Sequence, residues 1–255
     1  MLVINELLRC SPNLAHKLTI WIGLPGKLHQ TYEPYVQLLQ GAASIRFFEA
    51  ETDHQDPYFV KLGLANLVDQ LNAEDQFLYM DYDHLVLGPL CLDAFRQDAI
   101  LVSSEIKQLD ESVSLWRDKL ALPALQAGKK HFNNSLIFTS VARMRNVVGA
   151  WLQLYHKLEG LPPEMREEIA FCLAVEAMGE PLIAAPHQLQ EHFRQDLRES
   201  VLFHYGGATL AARGLKQFLK ERSAAFCWED FTSDCLSREH RVLQEQLNHL
   251  CSLSV

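Results

Sequence analysis

Apolar positions along this chain fall into short runs that alternate with helix-like stretches. Lys17-Leu18-Thr19-Ile20-Trp21-Ile22-Gly23 is a β-branched and aromatic run closed by glycine and followed by Pro25-Gly26, which predicts a first strand and a loop. Tyr32 to Gln40 reads as a helix stopping at Gly41, and Ser44 to Phe48 as a second strand. Asp56-Pro57 opens the next helix, with Asp as N-cap and Pro in the first turn; Phe59, Leu62, Ala65, Val68 and Leu71 give it one apolar face. Phe77-Leu78-Tyr79-Met80 is a third, buried strand. This alternation predicts an α/β domain on a mostly parallel sheet flanked by helices.

Further on come Leu85-Val86-Leu87-Gly88-Pro89, a short helix from Leu92 to Gln97, and a buried run from Ala99 to Val102. Residues 104 to 130 mix charge with scattered apolar positions and predict a partly helical excursion over the sheet edge. A strand from His131 to Thr139, a long helix from Val141 to Leu158, a helix from Pro163 to Met178 ended by Gly179 and a brief strand at Pro181 to Ala184 follow. Val201-Leu202-Phe203 then leads into His204-Tyr205-Gly206-Gly207. From Leu210 the chain reads as helical, with Leu236, Leu243, Leu247 and Leu250 in a stripe. That stripe is expected to dock on the domain; a dimer or partner interface is the alternative. No repeat or low-complexity linker divides the chain, so one domain is expected over 1–255, with a core at 17–215 and a helical C-terminal extension at 216–255.

A 255-residue chain with 48% hydrophobic content can bury a substantial core. Its formal charge of -9 argues against general nucleic-acid binding, since Lys129-Lys130 is the one obvious basic pair. No apolar run approaches the roughly 20 residues that span a bilayer, and Glu6 and Arg9 among the N-terminal leucines do not make a signal peptide. A cytoplasmic location is the default expectation. The six cysteines lack metal-like spacing and are expected to be reduced, mostly buried thiols.

The third strand ends in Asp81-Tyr82-Asp83. Side chains at i and i+2 of an extended chain point the same way, about 7 Å apart, so both carboxylates can face one cation. The C-terminal edge of an α/β sheet is where such folds bind ligands, and oxygen ligands favour Mg or Mn. A solvated acidic turn is the plain alternative. Two later apolar runs also end in polar clusters, His131-Phe132-Asn133-Asn134-Ser135 and His204-Tyr205-Gly206-Gly207.

In that order the three motifs resemble GT-A fold glycosyltransferases, most closely the family-8-like group that includes glycogenin and lipopolysaccharide galactosyltransferases. The likeness rests on Phe77 to Leu90, Phe132 to Ile137 and His204 to Gly207 and extends thinly over residues 17 to 215. It implies a GT-A type central sheet and metal-dependent transfer of a sugar, with retention, from a nucleoside diphosphate donor, UDP-sugar above all, to an acceptor hydroxyl. The acceptor class, whether glycan, lipid-linked sugar, small molecule or protein, is left open. By the same resemblance Asp81, Asp83 and His204 would hold Mn2+ or Mg2+, and Tyr82, Gly206 and Gly207 would lie by the diphosphate. Lys61 would contact the donor, Trp21, Ile22 and Gly23 would cradle the base, and Asn133 would lie near the donor sugar. Glu168 would orient a sugar hydroxyl.

Each of these has an ordinary structural alternative: a solvated lysine at 61, a core tryptophan at 21, a strand-end amide at 133 and a helix-surface carboxylate at 168. The chain also departs from the family pattern. Ser135 stands at the family's glycine, Glu167-Glu168 at its Asp-Gln pair, and its lysine after the last motif is out of register, leaving Arg213 or Lys216 as substitutes. Two other readings stay open, a phosphatase with an Asp-x-Asp nucleophile and a non-catalytic nucleotide-sugar-binding relative.

Overall fold

The computed structural model describes residues 4, 7–8, 10–15, 17–24, 26–39, 43–50, 57–81, 84–86, 88–91, 98–103, 106–108, 130–186, 189–192 and 201–204. The helix expected at 92–97, most of the 104–130 excursion and everything from 205 onward, including the C-terminal extension and its leucine stripe, lie outside these residues.

Strand β1 (Thr19–Leu24) leads into helix α1 (Gly26–Leu39), which begins earlier than the sequence pattern suggests, and β2 (Ser44–Glu49) returns parallel to β1. Residues 57–71 keep their apolar face, since Leu62 and Val68 are buried and Phe59, Ala65 and Leu71 pack on the same core. Their spacing of three is the period of a 3-10 helix. The segment is accordingly a 3-10 helix over Pro57–Gly63 that passes into α2 (Leu64–Val68), not one continuous α-helix.

Next come β3 (Gln76–Met80), β4 (His84–Val86), β5 (Ile100–Val102), β6 (Ile106–Gln108), β7 (Lys130–Phe132), β8 (Leu136–Ser140), α3 (Val141–Lys157), α4 (Pro163–Ala177), β9 (Leu182–Ala184), β10 (Gln190–His192) and β11 (Leu202–His204). The excursion expected to be partly helical thus contains strand β6, and the single strand expected over 131–139 is broken at Asn133-Asn134-Ser135.

Pairing is parallel for β1–β2, β5–β9 and β10–β11, as an α/β alternation implies. Strand β8 is different: it runs antiparallel to both neighbours, β3 and β5. Strand β7, which precedes β8, pairs antiparallel with β6. Met80, the last residue of β3, therefore faces Leu136, the first of β8. Whatever follows β3 meets whatever precedes β8.

The order β3-β8-β5-β9 makes a four-stranded sheet with apolar side chains on both faces. Ile100, Val102 and Ile137 point into the main core; Leu101, Leu136 and Phe138, one residue out of phase, point into a second core with Val86, Leu189 and Leu202. Helix α3 covers the first face. Its Ser140 N-cap accepts from the Arg143 N–H at 3.3 Å, and Val141, Met144, Val148, Trp151 and Tyr155 line its buried side.

Helix α4 is buried on more than one face, with Ile169, Ala170, Phe171, Leu173, Ala174 and Val175 all inside. Phe171 meets Trp151 edge-on at 4.9 Å between ring centroids. Gly179, at φ 69°, takes the left-handed turn that ends this helix. Among the described residues no helix is long and apolar enough to cross a membrane. Of the described cysteines, Cys10 and Cys172 are half-buried, whereas Cys91 is exposed, contrary to the expectation of buried thiols.

Candidate functional site

The antiparallel register of β3 and β8 assembles the site. Asp81 directly follows β3, and its backbone N–H donates to the Ser135 carbonyl at 2.8 Å. Asn133 and Asn134 sit beside this bond, in the break between β7 and β8, and both are buried. Opposite them α4 supplies Glu167 and Glu168. Asn134 Nδ2 donates to Glu167 Oε1 in a short contact, and Asn133 Nδ2 donates to Glu168 Oε1 at 2.8 Å. Two amides thus meet two carboxylates in matching order.

Lys61 enters from the 3-10 helix and is buried rather than solvated. Its Nζ lies 3.0 Å from Asp81 Oδ2 and 3.3 Å from Glu167 Oε2, and donates to Asn134 Oδ1 at 3.1 Å. The ammonium also sits 5.8 Å from the centre of the Tyr79 ring, within cation-π range. The Tyr79 hydroxyl donates to Asp81 Oδ1 in another short contact. Both oxygens of Asp81 are therefore aimed by neighbours.

Burial alone would push the Lys61 ammonium down, but the carboxylates of Asp81 and then Glu167 outweigh it and hold it above its ordinary 10.5. Glu167 goes the other way for a carboxyl. Burial raises it from 4.5 to about 7, opposed by Lys61 and the Asn134 amide. Lys61 is nearer to Asp81 than to Glu167, so desolvation remains dominant at Glu167. Burial likewise pushes the Cys172 thiol up to about 12, which makes it an inert packing group beside Phe132.

A second polar cluster adjoins the first. His84 and His204 are direct cross-strand partners in the antiparallel β4–β11 pair, and their rings stack at 4.7 Å with 15° between planes. His84 Nδ1 lies 3.0 Å from the Asp81 carbonyl and its Nε2 lies 2.7 Å from Gln190 Nε2. His204 Nδ1 lies 3.3 Å from Ser135 Oγ. Ser135 thus touches both Asp81 and His204.

Of the residues expected from the sequence, the structure brings together Lys61, Asp81, Asn133, Glu168 and His204. Glu168 is a buried hydrogen-bonded acid and not a helix-surface carboxylate, because α4 is an interior helix. Trp21, Ile22 and Gly23 lie on β1. Trp21 packs on the main core with the Arg46 guanidinium 5.5 Å over its ring, Ile22 packs on a smaller core with Val36 and Ile45, and Gly23 backs onto Phe48. Tyr82, Asp83, Gly206, Gly207, Arg213 and Lys216 lie outside the described residues. Glu167, Asn134, Tyr79, His84, Ser135 and Gln190 had not been singled out as site residues; the Asn-Asn and Glu-Glu doublets were the signal for the first two.

No family model matches this chain, and no curated protein matches its sequence. Among solved structures it is similar to the galactosyltransferase LgtC in complex with donor and acceptor sugar analogues, with a TM-score of 0.54 at 14% identity over 94% of this chain and 93% of that one. The chain has a GT-A-like fold. Mouse xyloside xylosyltransferase 1 in its apo form gives a TM-score of 0.49 at 11% identity, over 81% of this chain and 91% of that one. A glycosyltransferase involved in glycosylation of the major capsid of PBCV-1 gives 0.48 at 11%, over 79% and 98%.

Asp81 and His204 are chemically suited to a divalent ion, one as a carboxylate and one as an imidazole, and share Ser135 as a neighbour. Among the described residues Lys61 pairs with the carboxyl groups of both Asp81 and Glu167. Among the described residues no three His, Cys, Asp or Glu side chains converge as a metal site. Asp83, the other carboxylate of the Asp81-Tyr82-Asp83 motif, lies outside those residues.

Proposed function

We propose that this chain is a glycosyltransferase that moves a sugar from a nucleoside diphosphate donor, a UDP-sugar, to an acceptor hydroxyl. Asp81, Asp83 and His204 would hold Mn2+ or Mg2+. Those residues would thereby supply, through the ion, the charge neutralisation that a diphosphate leaving group needs.

The observation that carries this reading is the aimed Asp81 carboxylate at the end of β3, held by Lys61 and Tyr79 next to the His204 strand, within a GT-A-like fold. The chain's own residues have separable tasks. Lys61 and Tyr79 orient Asp81. Asn133 and Glu168, paired at 2.8 Å, form a donor-acceptor couple suited to sugar hydroxyls, which offer both a proton and lone pairs. The buried Asn134–Glu167 pair braces α4 against the loop before β8. Trp21, Ile22 and Gly23 would contact the nucleoside from β1, and Tyr82, Gly206 and Gly207 the diphosphate. Retention at the anomeric carbon follows from the family resemblance of the motifs.

The test is UDP release by the full chain from a panel of UDP-sugars with Mn2+, water serving as a slow acceptor. Metal-dependent release from at least one donor is expected, lowered more than about 100-fold in D81N. UDP binding without release from any donor would make the chain a binding relative. The absence of both would overturn the proposal.

A further inference from the structure

We propose that His84, Ser135 and Gln190 are positioning residues that fix the plane and rotation of the His204 imidazole, the ring presented to the divalent ion. The metal clause rests on the function proposed above; the ring placement does not.

His84 is fully buried. Its Nδ1 faces the Asp81 carbonyl at 3.0 Å, a group that can only accept, so Nδ1 carries the proton. Its Nε2 is then a lone pair, and the group 2.7 Å away is the amide nitrogen of Gln190, itself fully buried. Both ring nitrogens have the partner that this one protonation form requires. Turning the ring would break both of these buried bonds.

This immobilised ring is the surface on which His204 lies. The 4.7 Å stack, at 15°, sets the plane of the His204 ring. Ser135 sets its rotation within that plane, because Oγ meets Nδ1 at 3.3 Å. Ser135 is itself held, its N–H donating to Asn133 Oδ1 at 2.8 Å and its carbonyl accepting from the Asp81 N–H at 2.8 Å. Ser135 Oγ can donate or accept, so it holds Nδ1 in either ring form and leaves Nε2 on the opposite edge of the ring. Imidazoles that bind metals characteristically engage their other ring nitrogen in this way.

The four residues close a circuit. Asp81 binds Ser135, Ser135 binds His204, His204 stacks on His84, and His84 binds Asp81. One device thus positions both the backbone of Asp81 and the ring of His204. Glycine, which the resembling family carries where this chain has Ser135, has no hydroxyl with which to do so.

The test uses the full chain with 15N-labelled histidine, metal-free, and reads ring protonation from two-bond nitrogen-proton correlations, with H204A identifying the His204 signals. His84 is expected as the Nδ1–H form, and S135A is expected to shift the His204 ring nitrogen signals while leaving those of His84 unchanged. S135G, which keeps the backbone bonds to Asn133 and Asp81, serves as the second variant, and thermal unfolding checks the fold of each. In Mn2+ titrations with UDP present, S135A and Q190L are expected to weaken binding about tenfold or more, and S135A to add nothing in the H204A background. His204 ring nitrogen signals unchanged in S135A, or S135A and S135G with unchanged Mn2+ affinity, would overturn the inference. A wild-type chain that takes up no Mn2+ with UDP overturns the metal reading instead, whatever the ring forms are.

Discussion

Lys61 Nζ lies 3.0 Å from Asp81 Oδ2, and the same ammonium faces Glu167 Oε2 at 3.3 Å. Removing it leaves two carboxylates near one another with no cation to offset them. Breaking a buried ion pair from one side costs about 3–5 kcal/mol, because the remaining charge is stranded rather than because the pair itself is strongly stabilising. K61M is therefore expected to lower the unfolding free energy in urea by about that amount. A loss below about 1 kcal/mol would mean that the carboxylates are solvated or neutral without the lysine.

Glu167 gives stability a dependence on pH. Its folded carboxyl keeps a proton up to about 7, whereas the unfolded one releases it near 4.5. Between these values the folded state binds more protons, so raising the pH lowers stability, by on the order of 3 kcal/mol across the window. E167Q should flatten this slope in unfolding curves taken from below 4.5 to above 7. An unchanged slope in E167Q would assign the effect to another group.

Gly23 tests the packing of the first two strands. A Cβ there would fall 2.5 Å from Phe48 Cζ, the residue opposite it in the parallel register. G23A is expected to cost about 1–3 kcal/mol in thermal unfolding, and F48L in the same chain to recover part of it. A neutral G23A would show that the Phe48 ring swings aside.

Much of the fold could be read from local pattern. Strands β1, β2, β3 and β5 and helices α3 and α4 fall close to where apolar spacing, the Pro163 start and the Gly179 stop put them. Asp81, Asn133 and His204 were legible because each ends or follows an apolar run. The pairing of β8 was not, because strand direction depends on the route of the intervening chain. That direction decides the site: it joins Asp81 to Ser135 and presents Asn133 and Asn134 to α4. Glu168 looked like a surface group because a charged doublet on a helix is normally solvated, and only the apolar residues around it on α4 make the helix interior. His84 and Gln190 lie 106 positions apart and carry no shared local signal.

The proposed anchoring of a divalent ion by Asp81, Asp83 and His204 against a nucleoside diphosphate is open to calorimetry of UDP binding to the full chain, with and without Mn2+ and repeated with D83A. Binding is expected to need Mn2+ in the wild type and to be abolished in D83A, with the unfolding curve of the variant unchanged. UDP binding that is indifferent to Mn2+, or D83A with wild-type affinity, would contradict it.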